Sequence, residues 1–408
     1  MIDEVGKLIK FEEKRQAETL MLIPSENYAS QAVRKALGSA LSNKYAEGYP
    51  GRRYYQGNKY IDEIENLAID RAQKLFGVPH ANVQPYSGSP ANAEVLMATC
   101  EPGSVIMGLK LSGGGHLTHG HPNITFSGKF YTSVQFDVDD QGWLDYGQIA
   151  DLAKQHQPRV IIAGTTAYPR TLDWAKFAEI AQNIGAYLVA DISHIAGLVV
   201  GGVHPSPVPF AHIVTTTTHK TLRGPRGAMI LVTQAGIAKD PDLVKKIDRA
   251  VFPGLQGGPH NATTAAIAIT LEEAATKEFK KYAVQIGKNA QVLAKELIKY
   301  GFSLTTGGTD NHLLIVDLRH KNISGKEAAI LLEEAGIVVN YNAVPHDPNP
   351  PANPSGIRLG PPAVTTRGMQ KAEMVQIAKW MDQVIFAPGQ AKKIAAEVKK
   401  LCAKFPTP

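Results

Sequence analysis

Hydrophobic and polar positions alternate along this chain in two rhythms, one helical and one typical of buried strands. Apolar residues at helical spacing predict an amphipathic helix over residues 2–21 and a second helix from about Ile61 to Leu75 that ends at Gly77. Four short apolar runs then predict buried strands, with a helical segment at 172–183 between the first two; the runs are 160–163, 187–190, 212–215 and 229–232. Strands of this kind, separated by helices, predict an α/β fold with a large, mostly parallel sheet flanked by helices.

The last third of the chain predicts a smaller α+β domain. Strands are expected at 312–318 and 337–340, and Ser324 with Glu327 forms a capping box ahead of a helix at 327–335. A long helix at 365–386 follows. Residues 1–54 combine the first helix with a polar arm that has too few apolar residues for its own core, so we expect the arm to wrap around another body. The predicted parts are therefore 1–54, 55–275 and 276–408.

Composition and charge narrow the class of protein. Of the 408 residues, 44% are hydrophobic and 20% are charged, which is typical of a globular fold and excludes wholesale disorder. The net charge of +6 is mild and is concentrated in C-terminal lysines, so nucleic-acid binding is not expected. The apolar runs are too short to span a membrane, and the first residues do not resemble a signal peptide. Two cysteines cannot build a disulfide framework or a Cys-rich zinc site, so we expect no metal centre and a reducing, cytoplasmic location.

The strongest chemical signal is the run Thr215-Thr-Thr-Thr-His219-Lys220, which follows a predicted buried strand. Lys220 is crowded by His219, Arg223 and Arg226. Poor solvation and nearby cations both favour a neutral amine, which is the form that makes a Schiff base with a carbonyl group. Taken alone, the same run favours a surface lysine in a basic turn.

Two further motifs favour the functional interpretation. Asp191 ends the strand at 187–190 and would point into the crevice at the carboxyl edge of the sheet, where an acid can hold a pyridinium nitrogen protonated. Alone, it could be a helix N-cap or a magnesium ligand. The run Ser87-Gly-Ser89-Pro90 predicts a helix start with Ser89 as N-cap, which could be a phosphate cup or an ordinary capped helix. Phosphate cup, acid and lysine occur in the order of a pyridoxal 5′-phosphate (PLP) fold.

Eight motifs in order give the chain a specific resemblance to one family. It resembles serine hydroxymethyltransferase over essentially its whole length. The motifs are Pro24-Ser-Glu-Asn-Tyr28, Asn43-Lys-Tyr-Ala-Glu-Gly-Tyr-Pro-Gly51, Arg53-Tyr-Tyr55, Ser87-Gly-Ser-Pro-Ala-Asn92, Gly114-Gly-His-Leu-Thr-His-Gly120, Asp191-Ile-Ser-His194, Thr215–Lys220 and Gly356-Ile-Arg358.

The resemblance implies a fold-type-I PLP-dependent transferase that moves the hydroxymethyl group of L-serine to tetrahydrofolate, giving glycine and 5,10-methylenetetrahydrofolate. It implies that Lys220 carries PLP as a covalent aldimine, that Asp191 partners the ring nitrogen, and that Glu47 is the acid/base; His219 is the remaining catalytic candidate. The implied cofactor contacts are Ser87, Gly88, Ser89, His116, Asp191, His194, Thr217, Lys220, Gly257 and Gly258. The implied contacts of the amino-acid substrate are Ser25, Tyr45, Glu47, Tyr55 and Arg358. The implied folate contacts are Glu47, Tyr54, Tyr55, Leu111, Gly115, His116, Leu117 and Asn342.

The resemblance also implies an active site shared between two copies of the chain. Glu47, together with Tyr45, Tyr54 and Tyr55, would come from the partner subunit, and the glycine pair 257–258 would reach the phosphate from the neighbouring subunit. The polar arm, which lacks its own core, agrees with this arrangement. We therefore expect a homodimer, with a tetramer as the alternative.

The sequence departs from the family pattern at one position, and three alternative functions remain. Ala352 stands where many relatives have an aromatic residue over the folate, which bears on pteridine affinity. A folate-independent aldolase of β-hydroxy amino acids would need Lys220, Asp191 and Arg358 but not Glu47 with the tyrosine pair. An α-methylserine hydroxymethyltransferase is a second alternative. The third, a non-enzymatic basic nucleic-acid-binding module on the same scaffold, would have no use for the cofactor residues.

Overall fold

A computed structural model describes residues 3–408. Residue 2, the first of the helix predicted at 2–21, therefore lies outside the described part. The α-helices are α1 (Glu4–Glu18), α2 (Gln31–Leu37), α3 (Lys59–Phe76), α4 (Gly88–Thr99), α5 (Phe126–Phe130), α6 (Tyr146–His156), α7 (Trp174–Asn183), α8 (Ala196–Val200), α9 (Gln234–Lys239), α10 (Leu243–Arg249), α11 (Asn261–Ala274), α12 (Lys277–Lys299), α13 (Gly325–Glu334), α14 (Pro362–Thr366), α15 (Lys371–Phe386) and α16 (Ala391–Lys404). The strands are β1 (Leu20–Met21), β2 (Gly48–Tyr49), β3 (Arg52–Arg53), β4 (His80–Asn82), β5 (Val105–Leu109), β6 (Thr132–Phe136), β7 (Val160–Gly164), β8 (Tyr187–Asp191), β9 (Ile213–Thr217), β10 (Ala228–Val232), β11 (Ser303–Leu304), β12 (Leu314–Asp317), β13 (Ile337–Val338), β14 (Asn340–Asn342) and β15 (Gly356–Leu359).

The central sheet has seven strands in the order β4-β10-β9-β8-β7-β5-β6. The strands from β9 to β6 are parallel neighbours, and β10 runs antiparallel to both β9 and β4. Strands β7 to β10 coincide with the four predicted apolar runs and are buried at every position, which is why they lack a polar alternation. The predicted mostly parallel sheet is confirmed.

Helices cover both faces of this sheet. On one face α6, α7 and α12 bury residues such as Ile149, Phe177 and Phe279. On the other face α4 and α10 bury Val95 and Leu243 against the strands. The parallel strands β8 and β9 end side by side, so the segments that follow them share one crevice at the carboxyl edge of the sheet.

The C-terminal part contains an antiparallel sheet in the order β11-β12-β15-β14, packed with α13, α15 and α16 around a second core. The N-terminal segment joins this core, because Leu20 and Leu22 are fully buried in it and β1 pairs in parallel with β13. Within residues 3–408, no helix combines the length and apolar character needed to cross a membrane.

Two predicted helix signals are confirmed, whereas three predicted elements differ from the structure. Gly77 ends α3 in the left-handed conformation at φ +69°, and the capping box of Ser324 and Glu327 is formed. The first helix stops at Glu18 because the next residues pair as β1, and the strand predicted at 337–340 divides between two sheets. The helix predicted at 365–386 is broken where Gly368 adopts φ +92°, so that α14 and α15 are separate.

Candidate active site

Lys220 lies three residues beyond the end of β9, in the crevice at the carboxyl edge of the sheet. Its Nζ donates a hydrogen bond to Thr217 Oγ1 at 3.0 Å, and its carbonyl oxygen accepts one from Asn27 Nδ2 at 2.9 Å. Burial, together with the charges of Arg358 and Arg226, lowers the pKa of Lys220 to about 8, although Asp191 opposes this shift. The amine therefore reaches its neutral, nucleophilic form much more easily than an exposed lysine does.

Asp191 is the last residue of β8 and is buried beside β9. Its Oδ2 accepts hydrogen bonds from His119 Nε2 and Asn92 Nδ2, each at 3.0 Å, and its Oδ1 accepts one from the Ser193 N–H at 3.0 Å. Burial alone would raise the pKa of Asp191, but these hydrogen bonds and the adjacent His119 hold it well below its usual range. The carboxylate stays ionised and Oδ1 retains a lone pair for one more donor.

A hydrogen-bonded chain fixes the two histidines beside Asp191. His119 Nδ1 accepts from the His116 backbone N–H at 3.3 Å, so its Nε2 carries the proton that is donated to Asp191. His116 Nδ1 accepts from the Thr118 N–H at 3.1 Å and pairs with Thr118 Oγ1 at 2.7 Å. Burial lowers the pKa of His116 to about 4, so this ring is neutral and can present a flat face to a ligand.

The N-terminus of α4 faces the same strands. Its N-cap is Ser87 and not the predicted Ser89, because the helix already begins at Gly88 and Pro90 occupies its third position. The Ser87 side chain makes no capping bond, so the first N–H groups of the helix are left to other partners. A Cβ built on Gly88 would lie 2.8 Å from Thr217 Cγ2, so the helix start approaches β9 closely. This is the geometry of an anion site at a helix start.

Three further histidines lie around the lysine. His194 is fully buried and its Nδ1 is 3.4 Å from Nε2 of His312, which is also buried. Burial, with Lys220 and Arg358 nearby, places the pKa of His194 well below the usual value, and burial lowers the pKa of His312 to about 3. His219, next to Lys220, has a pKa lowered to about 3 by burial, and its buried Nδ1 has no partner within residues 3–408.

Arg358 lies on β15, inside the antiparallel sheet, and not in the proline-rich loop before it. Its Nε donates to Asn340 Oδ1 at 3.0 Å, Nη1 donates to the Thr166 carbonyl oxygen at 2.6 Å, and Nη2 lies 3.5 Å from Ser25 Oγ. Burial lowers the pKa of Arg358 to about 10, partly offset by Glu26. Two of its five N–H groups remain for a ligand, so the guanidinium can still bind a carboxylate in a bidentate fork.

A cleft of about 420 Å³ opens between the large sheet and the C-terminal sheet. Two predicted folate contacts, Leu111 and Asn342, line it, together with Thr166 and Pro351. Gly115 follows in the same loop as Leu111, and a Cβ there would lie 2.0 Å from the Leu109 carbonyl oxygen, so that position admits only glycine. Leu117 is partly exposed on the same loop. Ala352 is exposed next to Pro351 and adds no aromatic surface to the cleft.

The remaining predicted residues form a second group, in which residues next to the β2–β3 hairpin meet the glycine pair 257–258. A Cβ built on Gly257 would lie 3.6 Å from Glu47 Oε1, and one on Gly258 would lie 3.2 Å from the Tyr45 ring. Tyr45 and Tyr55 stack edge to face at 5.3 Å, and much of their surface is exposed. Tyr54 is the most exposed of the three tyrosines, at 72%. The structure therefore brings these residues together, with their aromatic surface open to solvent within one chain.

The polar groups at the edge of the sheet fit one type of cofactor. A parallel sheet whose strand ends carry a nucleophilic lysine and an ionised aspartate, above an open helix N-terminus, matches the aldehyde, the ring nitrogen and the phosphate of PLP. Within residues 3–408, no group of three or more His, Cys, Asp or Glu side chains is arranged to hold a metal ion. The residues present thus fit a fold-type-I PLP-dependent enzyme.

Comparison with known proteins identifies the family. Residues 1–381 match the family model described as serine hydroxymethyltransferase. Proteins with that name from Acidothermus cellulolyticus and Desulfotalea psychrophila are each 55% identical, over 99% of this chain and over 95% and 94% of their own lengths. The one from Sorangium cellulosum is 54% identical over 99% of this chain and 95% of its own length.

The chain belongs to the serine hydroxymethyltransferase family. Membership confirms the predicted fold class and cofactor, and it confirms the predicted reaction: PLP-dependent transfer of the hydroxymethyl group of serine to tetrahydrofolate, yielding glycine.

Sequence reasoning missed several polar residues of the site. Asn92 donates to both Asp191 and Thr118 and accepts from Thr215 Oγ1 at 2.9 Å, but in the sequence it is only the last residue of the motif 87–92. His119 was likewise part of a motif without a role. The signal for His312 was absent, because it is separated from His194 by 118 residues along the chain.

Proposed function

We propose that Lys220 forms the covalent link to PLP, with Asp191 on the ring nitrogen, His116 on the ring face and the N-terminus of α4 on the phosphate. The observation that carries this proposal is the pairing of a lysine of lowered pKa with an ionised, buried aspartate at the ends of adjacent strands. Thr217 and His194 flank the same crevice. Ser87, Gly88 and Ser89 would supply the hydroxyl and N–H donors for the phosphate.

The side chains divide the chemical work. When bound, PLP withdraws electrons from the Cα of an attached amino acid, so that a bond to this carbon can break. Asp191, already held by three donors, keeps a negative charge opposite the ring nitrogen. Lys220 would hold the cofactor through its amine, which burial keeps close to the neutral, nucleophilic form. Burial lowers the pKa of His116 and of His194, so neither ring adds a positive charge beside Asp191.

Arg358 and Ser25 would bind the carboxylate of serine. The two free N–H groups of Arg358 suit a bidentate fork, and the Thr166 carbonyl oxygen and Asn340 hold the guanidinium plane in place. A fixed carboxylate limits rotation of the substrate, so one bond to Cα is held in the reactive orientation. Orientation of this kind can supply roughly 7–11 kcal/mol in favourable systems.

Glu47 would hold or move a proton at the hydroxymethyl group and at the folate, as a residue of the partner subunit. Tyr45 and Tyr55 would help to bind serine, Tyr54 and Tyr55 would contact the folate, and the glycine pair 257–258 would reach the phosphate of the partner's cofactor. The exposed aromatic surface of this hairpin supports a shared site, since large exposed apolar patches mark interaction surfaces.

The first helix supports the same homodimer. Helix α1 buries none of its residues within one chain, and four of its apolar side chains are more than half exposed: Val5, Leu8, Ile9 and Phe11. An amphipathic helix is stabilised mainly by packing of its apolar face, so we expect this face to pack against a second copy of the chain. A cytoplasmic location agrees with Cys100 and Cys402, which are both free thiols. The part boundaries at 54/55 and 275/276 stay a prediction.

Chemical trapping tests the role of Lys220. The purified protein is treated with sodium borohydride, which converts a lysine–PLP linkage into a stable amine, and is then digested and mapped by mass spectrometry. We expect the pyridoxyl mass on the peptide that contains Lys220. A label on a different lysine, or PLP released intact after reduction, would contradict the proposal.

A further inference from the structure

Arg53 is a buried arginine directly behind the proposed acid/base. Its side chain is 4% exposed on strand β3, and Nη1 donates to two carbonyl oxygens, that of Ala46 at 2.8 Å and that of Gly48 at 2.7 Å. These are the residues immediately before and after Glu47. One guanidinium nitrogen therefore holds the backbone on both sides of the Glu47 side chain.

Acidic partners hold the guanidinium in turn. Its Nε donates to Asp62 Oδ1 at 2.8 Å and Nη2 donates to Glu65 Oε2 at 2.5 Å, both on helix α3. The Glu65 side chain is 2% exposed; burial raises its pKa, while Arg53 and Gln84 oppose that shift. Because the bonds run in a fixed fork, the plane of Arg53 has little freedom to rotate.

Gln84 gives the hairpin a second attachment. Its Nε2 donates to Glu65 Oε1 at 2.7 Å and to the Gly48 carbonyl oxygen at 3.0 Å, so this carbonyl accepts from both Gln84 and Arg53. Gly48 itself has φ +94°, and a Cβ there would lie within 2.4 Å of the Arg52 carbonyl oxygen. The backbone next to Glu47 is therefore fixed by sterics as well as by hydrogen bonds.

The same polar cluster reaches the glycine turn that we assign to the cofactor phosphate. Gln256 Nε2 donates to the Gln84 carbonyl oxygen at 2.9 Å, and Gln256 Oε1 accepts from the Tyr86 N–H at 2.9 Å. Tyr86 Oη donates to the Gly258 carbonyl oxygen at 2.7 Å. The hairpin and the glycine turn are thus tied to one buried frame, although they are about 200 residues apart in sequence.

We propose that Arg53, held by Glu65 and Gln84, is a positioning residue that sets where the Glu47 carboxylate is presented to the active site. The proposal rests on the proposed role of Glu47, which it deepens. Arg53 touches neither substrate nor cofactor in this account. Its effect passes through the two backbone carbonyl oxygens that flank Glu47. Gln256 and Tyr86 hold the glycine turn without a bond to Arg53, so Arg53 governs the folate-dependent reaction and leaves the bound cofactor in place.

The test compares two reactions of the holoenzyme in the variant Arg53→Lys. Lysine keeps the charge for Glu65 but cannot reach both flanking carbonyl oxygens and the two carboxylates from one ammonium group. We expect kcat for tetrahydrofolate-dependent serine cleavage to fall about ten- to a hundredfold, since displacement of a catalytic group by 1 Å can have this effect. Folate-independent cleavage of allothreonine should stay within about twofold of the parent.

Controls separate positioning from a structural role. Arg52→Lys makes the same substitution on the exposed neighbour of Arg53 and should match the parent in both reactions. Light scattering should give the parent's mass for Arg53→Lys, and hydrogen exchange should be faster in peptides that cover residues 46–54. The double variant with Glu47→Gln should lose no more folate-dependent activity than Glu47→Gln alone, because both changes remove the same function.

Each result decides one part of the account. Unchanged folate-dependent activity in Arg53→Lys, or an equal fall of both reactions, would overturn the positioning role. If Glu47→Gln itself keeps folate-dependent activity, the proposed role of Glu47 fails first. If Arg53→Lys does not fold, Gln84→Met carries the test, with a smaller loss expected and the same split between the two reactions; an equal fall of both would again overturn the role.

Discussion

The two halves of the proposed active site are built in different ways. Lys220 and Asp191 stand at the ends of adjacent buried strands, and their hydrogen bonds are completed within one chain. Glu47 and its tyrosines stand on a hairpin of two-residue strands whose aromatic surface is largely exposed. The cofactor half is therefore fixed by the sheet, whereas the hairpin half depends on the buried polar cluster around Arg53 and on the proposed contact with the partner subunit.

Substitution of Lys220 should inactivate the cofactor half of the site and give the largest loss of activity. Lys220→Arg keeps the positive charge but has no neutral amine to form the linkage, because arginine stays protonated. We expect both the folate-dependent and the folate-independent reaction to fall by at least about 10³-fold. Steady-state kinetics with absorbance of the bound cofactor measures this, and activity within tenfold of the parent would refute the assignment.

Loss of the Glu47 carboxylate should impair the folate-dependent reaction and leave cofactor binding unchanged. We expect Glu47→Gln to retain PLP and glycine binding but to lose about 10²–10⁴-fold in tetrahydrofolate-dependent serine cleavage, the usual range for general acid–base catalysis. Spectroscopic titration with glycine, alongside kinetics with serine and tetrahydrofolate, gives both numbers. Full folate-dependent activity in this variant would overturn the proposed role of Glu47.

Arg358→Lys should weaken substrate binding in a smaller step. A lysine cannot offer the planar fork that the carboxylate of serine needs, and it would lose one or more of the bonds to Asn340 and Thr166. We expect KM for serine to rise about ten- to a hundredfold while PLP absorbance is unchanged. If KM stays at the parent value, the carboxylate is bound elsewhere.

Two buried glutamates, Glu65 and Glu94, differ in their hydrogen bonding. Glu65 under the hairpin is paired with Arg53 and Gln84, whereas Glu94 on α4 is fully buried with neither carboxyl oxygen bonded within residues 3–408. Burial raises the pKa of Glu94 from 4.5 to about 8. The folded state therefore favours the protonated acid, and the stability present below pH 4.5 is lost progressively as the pH rises towards 8.

Glu94→Met should accordingly stabilise the protein most at alkaline pH. The expected gain in the free energy of unfolding at pH 8 is about 4 kcal/mol, falling towards zero near pH 4.5. Thermal denaturation of variant and parent between pH 5 and pH 8 measures the difference, with Glu94→Gln as a polar control of similar shape. A Tm difference that does not grow with pH would show that Glu94 finds a partner.

The buried strands were predictable because full burial leaves a local signature in the sequence. The runs that became β7 to β10 were found from their continuous apolar residues, and Lys220 and Asp191 followed from their places at the strand ends. By contrast, the N-cap of α4 was assigned to Ser89 instead of Ser87, since both serines and Pro90 suit a helix start and the sequence alone does not set the first turn.

Contacts between distant segments were not predictable from local pattern. His119 donates to an aspartate 72 residues further along the chain, and His312 meets a histidine 118 residues before it. The roles of Glu47 and Arg358 came from the family resemblance, because a polar hairpin and a lone arginine have no periodicity that marks them. The prediction of one continuous helix at 365–386 was wrong because Gly368 adopts a left-handed backbone conformation, which an apolar pattern does not reveal.

Mixed dimers of two inactive variants test the shared active site most directly. Lys220→Arg and Glu47→Gln copies carry different affinity tags, are co-expressed, and the doubly tagged species is isolated. If Glu47 acts in the partner's site, one site of each mixed dimer is intact and the other has both defects, so about half of the parent's folate-dependent activity returns. If Lys220 and Glu47 of one chain work together, both sites stay broken, and activity no higher than that of either single variant would contradict the account.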